Sequence, residues 1–412
     1  MKRLLVVTLL LFVCVGIVAA EQVELVWYHC CGQVERNEIF EKWAREFEAQ
    51  NPDIKINPIN PAGSYNAVLT TTILAGSGPD VFWAGIAIWR FADLLLPLDD
   101  LFEQDKAVAE ILPNMREAFR WDGKVIALPF GVNAHTIFYN KNLLAEAGLT
   151  MPPDWDWTTA VNMAKQLQKD TNGDGVMEQY GFTMIDRIHA LTYAGNVYSE
   201  DGRRTLVDNP ITIQAMQFIT DFMGGKLGVV HDSTISSNNQ AALLSGQLAM
   251  GNRGVFDLPI WRRQVTFDWD VTYYPRLVID GKDYRSAWFS PEVWAIGAYT
   301  KHPEEAKRFL RFLLQKEQML EFATLGAVIP TQPSVAVQGF LNEKQPANLK
   351  AFTDTLAWWR NGQWAHPADI SFEQMTPWIE LRQMAVPAST AVPEMARLAQ
   401  QRIDEFWANR EK

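Results

Sequence analysis

The sequence has 412 residues, 48% of them hydrophobic and 21% charged, so the chain is long enough to bury a large core and to form two or more domains. Its formal net charge of −11 argues against nucleic acid or an anionic membrane as a partner, because both require a basic protein surface. Aromatic residues are frequent, with 16 Trp, 10 Tyr and 22 Phe, and they supply the flat apolar faces that many ligand sites use.

The N-terminus has the residue order of a secretory signal peptide. A basic pair, Lys2 and Arg3, precedes an apolar run at 4–18, and two alanines follow it. This order predicts cleavage after Ala20, so 1–20 is the predicted signal peptide and the mature protein is expected in the periplasm. A membrane anchor is the alternative, but the run is short for a bilayer span.

The sequence has three cysteines, Cys14, Cys30 and Cys31. Cys14 lies inside the apolar run behind Val13, where a lipoprotein site requires a small residue, so we do not expect a lipoprotein. After cleavage, only Cys30 and Cys31 remain, in an oxidising compartment. A strained disulfide between these neighbours, with an apolar face toward a ligand, is favoured over two packed thiols or a bridge to a second chain.

Strands and helices alternate along the first part of the mature chain. The pattern predicts strands at "VELVWYH", "IKINPI" and "PDVFWAG", with helices at "NEIFEKWAREFEAQNP" and "YNAVLTTTILAGSG" between them. This alternation predicts an α/β fold with a parallel or mixed sheet and helices on both faces. Because ligand sites in such sheets lie beyond the carboxyl ends of the strands, 29–33 and 83–85 are expected at the same rim.

Longer stretches resemble a known family, the extracellular solute-binding proteins (family 1) that serve ABC sugar importers and include the maltose-binding proteins. The similar stretches follow the family's order along nearly the whole mature chain: "EFEAQNPDIKI", "LAGSGPDVFW", "LLLPLDDL", "GKVIALPFGVNAHTIFYNKNLLAEAGL", "PPDWDW", "DTNGDGVMEQYGF", "LLSGQLAMGNRGVF", and "HPEEAKRFLRFLL" followed by "GAVIPTQPSV". The family's loop after the first strand does not normally contain "CCG".

The resemblance implies a two-lobed, periplasmic-binding-protein-like (type II) fold, in which each lobe is a mixed sheet flanked by helices and a sugar lies in the cleft between the lobes. It implies an N-terminal lobe of 21–131 plus 290–343 and a C-terminal lobe of 132–289 plus 344–412. The implied function is to capture a sugar or oligosaccharide by closure of the lobes. The protein is then expected to act as a monomer that delivers the sugar to a membrane permease.

A cleft that closes on a sugar needs aromatic faces and polar side chains for the hydroxyl groups. The candidate ligand contacts are His29, Cys30, Cys31, Gln33, Tyr65, Asp80, Trp83, Asn133, Asn196, Arg253, Phe256, Trp288, Glu292 and Trp359. Each has a structural alternative: a Trp at a strand end is often core, Asp80 is suited to a turn cap, and Arg253 to a surface salt bridge. Trp43 and Trp157, on apparent helix faces, are predicted to be core.

The segment "DTNGDGVME" resembles the start of an EF-hand calcium loop. Its first, third, fifth, seventh and ninth places are Asp170, Asn172, Asp174, Val176 and Glu178, and a glycine stands in sixth place. The twelfth place, where a bidentate glutamate belongs, is Gly181. The segment therefore predicts either a structural calcium site formed by those five residues or a metal-free turn.

A secreted carbohydrate-active hydrolase is the alternative function. A glycosidase uses paired carboxylates, and the sequence has acid pairs at 99–100 and at 154 and 156. Adjacent acids in a strand, however, point to opposite faces, and acids in turns usually act as caps. The six histidines lack the spacing of a metal site such as H-E-x-x-H. We therefore expect no enzyme; a sensory binding protein for a chemoreceptor remains a further alternative.

Overall fold

The computed structural model describes residues 22–30, 34–184, 188–199, 201–326, 328–342, 345–358, 366, 368 and 370–411. The predicted signal peptide lies outside these ranges, as do three predicted ligand contacts, Cys31, Gln33 and Trp359. Within the described ranges, no helix combines the length and the apolar character needed to cross a membrane.

The strands in chain order are β1 (Val23–Tyr28), β2 (Ile54–Ile59), β3 (Val81–Trp83), β4 (Arg120–Trp121), β5 (Lys124–Val125), β6 (Leu128–Asn140), β7 (Tyr180–Thr183), β8 (Leu248–Gly254), β9 (Trp269–Thr272), β10 (Leu277–Ile279), β11 (Lys282–Tyr284), β12 (Phe289–Ile296) and β13 (Ile329–Pro330).

The α-helices are α1 (Val34–Gln50), α2 (Tyr65–Leu74), α3 (Asp99–Gln104), α4 (Lys106–Ala109), α5 (Pro113–Glu117), α6 (Lys141–Glu146), α7 (Trp157–Leu167), α8 (Pro210–Met223), α9 (Ser233–Ser237), α10 (Asn239–Leu244), α11 (Leu258–Gln264), α12 (Pro303–Leu313), α13 (Lys316–Leu325), α14 (Pro333–Gln338), α15 (Lys350–Asp354), α16 (Thr376–Arg382) and α17 (Ala388–Arg410). Short 3₁₀ helices cover Gly85–Leu94, Ile188–Thr192, Val255–Asp257, Phe340–Asn342, Thr355–Trp358 and Phe372–Gln374.

The predicted alternation of the first five elements is confirmed. β1, β2 and β3 form where the strand patterns lie, and α1 ends before Pro52, which cannot continue a helix. Along β1, Leu25 and Trp27 are buried on one face, as period-2 alternation requires. Trp43 of α1 and Trp157 of α7 are both buried in the core, as predicted.

Among the described residues, nine strands form one mixed sheet in the order β2-β1-β3-β12-β6-β8-β7, with β13 and β9 also paired to β6, while β4 pairs with β5 and β10 with β11 in separate two-stranded sheets. β1 runs parallel to β2 and β3, β12 runs antiparallel to β3 and β6, and β7 runs parallel to β8. The prediction of an α/β fold with a mixed sheet is therefore confirmed.

Helices cover both faces of the sheet around β1 and β12. On one face, α1, α12 and α13 pack aromatic rings against the strands, and the ring centroid of Trp27 lies 5.1 Å from that of Phe40 and 5.5 Å from that of Trp294. On the other face, α2 and the 3₁₀ helix Gly85–Leu94 cover a separate cluster that includes Phe82 and Val293. Because both faces are covered, seven of the eight residues of β12 are buried.

β6 is the strand that joins the two portions of the sheet. All 13 of its residues are buried. Its first half pairs with β12 and β13, and its second half pairs with β8 and β9. We call β1, β2, β3, β12, β13 and the first half of β6 the first portion, and the second half of β6 with β7, β8 and β9 the second portion. Side chains on one face of β6 can therefore contact groups from both portions.

Candidate ligand-binding site

The candidate site is built on one face of β6. Asn133 and His135 are two residues apart on this strand, so their side chains point to the same side of the sheet. Asn133 is opposite Ser290 of β12, and His135 is opposite Gly254 of β8. One face of β6 therefore presents an amide beside the first portion and an imidazole beside the second.

Next to Asn133, the carboxylate of Glu292 accepts three hydrogen bonds. Its Oε2 accepts from Nη2 of Arg36 at 2.9 Å and from Nε1 of Trp83, and its Oε1 accepts from Nδ2 of Asn133. The side chains of Arg36 and Glu292 are only 3% and 2% exposed, so each charge depends on the other in a region with little water. We call Arg36, Trp83, Asn133 and Glu292 the Glu292 cluster.

Two buried polar atoms of the Glu292 cluster have no hydrogen-bond partner among the described residues. They are Oδ1 of Asn133 and Nε of Arg36. Buried polar groups in proteins are nearly always satisfied by protein, water or ligand. The amide oxygen and the guanidinium N–H are therefore an unsatisfied acceptor and an unsatisfied donor, which a water or a polar ligand that reached the cluster would satisfy.

Trp83 forms the accessible side of the Glu292 cluster. It is half-buried at the end of β3, and its ring lies edge-on to the half-buried ring of Tyr65, with centroids 5.4 Å apart. The Tyr65 hydroxyl donates to the backbone oxygen of Trp83 at 2.7 Å. Burial raises the pKa of Tyr65, so this hydroxyl remains protonated and keeps its role as a donor.

A second cluster of aromatic rings surrounds His135. Its ring centroid lies 4.2 Å from that of the half-buried Trp288 and 5.6 Å from that of Phe256. Gly254 permits this packing, because a Cβ at that position would lie 2.2 Å from the Phe256 ring and 2.9 Å from Nε2 of His135. The cluster supplies apolar ring surface on the second portion of the sheet.

Arg253 is part of a mostly buried ion pair beside the His135 rings. Its Nε donates to Oδ2 of Asp257 at 2.5 Å, and its guanidinium carbon lies 5.8 Å from the centroid of the Phe256 ring. The side chains of Arg253 and Asp257 are 11% and 5% exposed, so the alternative of a surface salt bridge is wrong. Burial raises the pKa of Asp257, and the hydrogen bond and charge of Arg253 oppose that rise.

His29 and Cys30, two of the predicted ligand contacts, are buried in this structure, and their contact with ligand stays a prediction. The alternation that buries Leu25 and Trp27 continues to His29, whose ring packs 5.2 Å from that of Phe40 and is 3% exposed. Cys30 is 1% exposed and disulfide-bonded, with its partner outside the described residues. The pairing of Cys30 with Cys31 stays a prediction.

Asp80 and Glu292 are likewise used inside the fold. The carboxylate of Asp80 accepts from the backbone N–H of Val26 at 2.8 Å and from the hydroxyl of Thr300 at 2.5 Å, so it ties β1 to the turn after β12. Both contacts are structural, but they join distant segments and do not form the cap of the adjacent turn that was suggested for Asp80. Glu292 accepts three hydrogen bonds from protein side chains, and its direct contact with ligand stays a prediction.

The other predicted contacts divide into two groups. Tyr65, Trp83, Asn133, Arg253, Phe256 and Trp288 lie in or beside the two clusters, and their contact with ligand stays a prediction. Asn196 lies in irregular chain after the 3₁₀ helix Ile188–Thr192, and none of its contacts among the described residues is to a residue of either cluster.

Two residues of the candidate site, Arg36 and His135, were not predicted from the sequence. Arg36 falls on the apolar face of α1, four residues before Phe40, and a lone arginine on such a face signals a buried charge that needs a partner. His135 alternates with Asn133 along β6, so a strand assignment for that stretch would have placed the two together.

The predicted calcium loop brings its acids together on the surface. Oxygen atoms of Asp170, Asp174 and Glu178 lie within 4.8 Å of one another, an arrangement that fits the all-oxygen ligand set of calcium. Hydrogen bonds also close the loop, since Asp170 accepts from the backbone N–H of Gly175 at 2.9 Å. A Cβ at Gly181 would lie 2.0 Å from a backbone oxygen of α7, so the packing of α7 excludes a glutamate in the twelfth place.

The acid pairs considered for hydrolysis have structural roles. Asp99 accepts from the backbone N–H of Val125 at 3.0 Å, and Asp156 caps α7 by accepting from that of Thr159 at 2.8 Å. Asp154 pairs with Arg285 at 2.6 Å. The cap made by Asp156 agrees with the role suggested for such acids, whereas these contacts of Asp99 and Asp154 are to residues distant in sequence.

Two surface depressions among the described residues lie away from the candidate site. One of about 550 Å³ is lined by α7, α8 and the segment 226–228, and one of about 230 Å³ lies between α8 and the turn before α17. Neither is lined by a predicted ligand contact.

Comparison with protein families identifies a match over most of the chain. The model of the bacterial extracellular solute-binding protein family matches residues 32–320. An ABC transporter extracellular-binding protein of Pyrococcus horikoshii is 31% identical over 330 residues, which cover 74% of this chain and 71% of that protein. A maltotriose-binding protein of Pyrococcus abyssi is 25% identical over 304 residues, which cover 72% of this chain but only 63% of that protein.

Solved structures show the same fold. The substrate-binding protein of Listeria monocytogenes in complex with cycloalternan superposes with a TM-score of 0.76 over 94% of this chain and 99% of that chain, at 20% sequence identity. The GacH receptor of Streptomyces glaucescens, solved unliganded and with acarbose, superposes with a TM-score of 0.77 over 93% and 99% of the two chains, at 18% identity.

Proposed function

From the premise that this chain belongs to the bacterial extracellular solute-binding protein family, we propose that it captures a neutral mono- or oligosaccharide and delivers it to an ABC importer. Two similar proteins support a saccharide ligand. One is a maltotriose-binding protein, and the other was solved in complex with cycloalternan. The closed protein would then be recognised by a membrane permease.

The observation that carries this proposal is the composition of the β6 face. Two half-buried indole rings, Trp83 beside Glu292 and Trp288 beside His135, accompany buried polar atoms that lack partners among the described residues, such as Oδ1 of Asn133. A pyranose needs both features, because its C–H faces stack on aromatic rings while its hydroxyl groups need hydrogen-bond partners.

The charges near the site favour a neutral ligand over a charged one. Arg36 is paired with Glu292, and Arg253 with Asp257, so each positive charge is matched by a negative charge within the protein. A sugar acid or an amino sugar would have to displace one of these pairs and leave a buried charge uncompensated. A neutral saccharide requires no such exchange.

The proposed mechanism is closure of two lobes around the sugar, with 21–131 plus 290–343 in one lobe and 132–289 plus 344–412 in the other. A sugar that contacts both lobes stabilises the closed state by its greater affinity for that state. β6 crosses the proposed boundary near Val132, which supports placing the site there. We further propose a periplasmic monomer, released by cleavage after Ala20, that binds without altering the sugar.

A sugar panel tests this function directly. Purified protein without 1–20 is screened by thermal shift against neutral monosaccharides and oligosaccharides, including maltotriose, and each positive is measured by calorimetry and tryptophan fluorescence. A bound sugar should raise the melting temperature by mass action and be recovered unchanged. New reducing ends would support the hydrolase alternative, and a flat response across the panel would refute sugar binding.

We also propose that the loop 170–178 binds calcium in a structural role. Asp170, Asn172, Asp174 and Glu178 would supply side-chain oxygens, and Val176 a backbone carbonyl. The proximity of the three carboxylates supports the proposal. Bound calcium would neutralise their mutual repulsion and hold the loop, which lies on the surface, without taking part in sugar recognition.

A further inference from the structure

We infer that Glu292 is a positioning residue of the sugar site: without touching the ligand, its carboxylate fixes the indole of Trp83 and the orientation of the Asn133 amide. The inference rests on the proposed function, because it assigns Trp83 and Asn133 to ligand contact. It replaces the direct contact that the sequence suggested for Glu292.

The geometry of the carboxylate carries the inference. Its three donors come from three different elements: Arg36 from α1, Trp83 from the end of β3, and Asn133 from β6. Glu292 itself lies on β12, where the register with β6 shifts immediately after it. Such a shift re-aims a side chain relative to a regular strand, and here Glu292 meets all three donors. One residue therefore joins four elements at the edge of the site.

The charge of the carboxylate makes these bonds strong enough to orient their donors. Hydrogen bonds to an ionised group are roughly twice as strong as bonds between neutral groups. Arg36 compensates the charge of Glu292, so the cluster is stable although it is nearly shielded from water. An amide in place of the carboxylate would bond more weakly and would leave Arg36 without a counterion.

The carboxylate also determines which end of the Asn133 amide faces the ligand. An ionised carboxylate only accepts hydrogen bonds, so Asn133 must turn its NH₂ group toward Glu292. Its Oδ1 is then the end left over, and this atom is buried without a partner among the described residues. The site therefore presents an acceptor at this point and selects ligands that place a hydroxyl donor there.

The indole of Trp83 is restrained on several sides. Its Nε1 donates to Glu292, and its ring packs edge-on against Tyr65. Behind it, the backbone at Gly85 has φ +45°, and a Cβ there would lie 2.7 Å from the Trp83 ring, so only glycine allows the chain to pass so close. Glu292 is the polar member of this set, because it fixes the rotation of the ring through Nε1.

Glu292→Gln tests the inference, since it keeps the shape of the side chain and removes its charge. In ligand-free protein, we expect a change in the near-ultraviolet circular dichroism of tryptophan and easier quenching of its fluorescence, because the indole is no longer held. Affinity for the tightest saccharide of the panel should fall about tenfold, as preorganisation is lost. Glu292→Asp, which retains the charge, should recover part of both properties.

Glu321→Gln is a matched control. Glu321 accepts from Nζ of Lys42 at 2.7 Å and from Nε1 of Trp43 at 2.9 Å, so it also joins a cation and an indole, but it contacts no residue of the Glu292 cluster among its described partners. Its substitution should leave saccharide affinity unchanged. A loss of affinity equal to that of Glu292→Gln would reduce the effect to general destabilisation and overturn the inference.

A Trp83→Phe background separates positioning from direct contact. The phenyl ring has no N–H, so adding Glu292→Gln to Trp83→Phe should produce little further spectral change and a much smaller loss of affinity. An undiminished loss would mean that Glu292 does not act through Trp83, and an unchanged spectrum in the single variant would also refute positioning of the indole. If wild-type protein binds no saccharide, the proposed function fails, but the spectra still show whether Glu292 holds the Trp83 indole. If Glu292→Gln does not fold, Glu292→Asp is measured in its place.

Discussion

At the scale of single residues, the neighbouring backbone pattern decides whether a polar side chain serves the core or the site. His29 follows the buried face of β1, and burial together with the nearby charge of Arg36 lowers its pKa to about 4. In the unfolded chain, a histidine has a pKa near 6.5. The folded state therefore holds this imidazole neutral at pH values where the unfolded state protonates it.

This difference predicts a loss of stability in acid. Between pH 6.5 and 4 the unfolded chain binds a proton at His29 that the folded protein does not, so the free energy of unfolding falls as the pH is lowered. The contribution of His29 is fully present above pH 6.5 and amounts to about 3 kcal/mol at most. Urea unfolding at pH 7, 5.5 and 4.5 measures it.

His29→Gln should flatten that dependence, because the variant has no imidazole to protonate. His302→Gln serves as the control, since His302 lies at the start of α12 and is only half-buried. The difference between the pH dependences of wild type and His29→Gln gives the contribution of His29 to the free energy of unfolding, separate from the contributions of carboxylates and of the other histidines. Parallel curves for the two proteins would contradict the assigned pKa.

Trp83 and Trp288 are the residues on which stacking is predicted to depend. Replacing either with Ala should weaken saccharide binding by about 1–3 kcal/mol, because a flat apolar face is removed from one side of the sugar. Calorimetry measures the affinity, and urea unfolding of the same variants measures stability. Unchanged affinity with lowered stability would assign that Trp to the core.

Cys30 gives a prediction that mass spectrometry can check. Cys30 is disulfide-bonded, and removal of 1–20 leaves Cys31 as its one possible partner within the chain. The mature protein should therefore be a monomer two hydrogens lighter than its reduced form, with both cysteines in one cross-linked peptide. A disulfide-linked dimer, or a bond to Cys14 in unprocessed protein, would be the contrary result.

At the scale of elements, local patterns predicted much of the first portion of the sheet. Apolar spacing and Pro52 located β1, α1 and β2, because each depends on residues close in sequence. The Glu292 cluster was not predictable in this way. Arg36 and Glu292 are 256 residues apart, and Trp83 and Glu292 are 209 apart, so their contacts follow from strand order and from a register shift that no short motif encodes.

The loop 170–178 gives the prediction at the element scale. If it binds calcium, chelation should lower the melting temperature, and added calcium should restore it without changing saccharide specificity. Asp174→Asn, which weakens the carboxylate set, should abolish the response. Asp201→Asn is the control, because Asp201 also caps a surface turn but lies outside the loop. A melting temperature indifferent to both chelator and calcium would identify a metal-free turn.

At the scale of the whole molecule, the C-terminal end of α17 contacts the turn between β4 and β5. Arg410 forms ion pairs with Asp93 and Asp122, and its guanidinium carbon lies 4.5 Å from the centroid of the Trp121 ring. Trp121 also stacks on Trp407, with centroids 6.0 Å apart. In the proposed division, 21–131 and 344–412 belong to different lobes, so these contacts would bridge the lobes.

Such a bridge would have to break when the lobes open. Exposed ion pairs contribute little alone, but the side chain of Arg410 is 23% exposed and combines two ion pairs with a cation–π contact, which suggests about 1–2 kcal/mol in total. That amount changes an open-to-closed ratio about tenfold. The apparent affinity for ligand depends on the fraction of protein that is closed, so the bridge would tune affinity from outside the site.

Arg410→Ala is therefore expected to increase the radius of gyration of the ligand-free protein in X-ray scattering and to weaken saccharide binding, while the sugar-bound form stays compact. Arg203→Ala is the matched control. The guanidinium carbon of Arg203 lies 4.4 Å from the centroid of the Trp407 ring, and Arg203 pairs with Glu411, but both partners belong to the same proposed lobe as Arg203. Its loss should leave the radius of gyration unchanged. Equal expansion in both variants would mean that α17 has simply detached, and no expansion in Arg410→Ala would mean that the contact does not restrain opening.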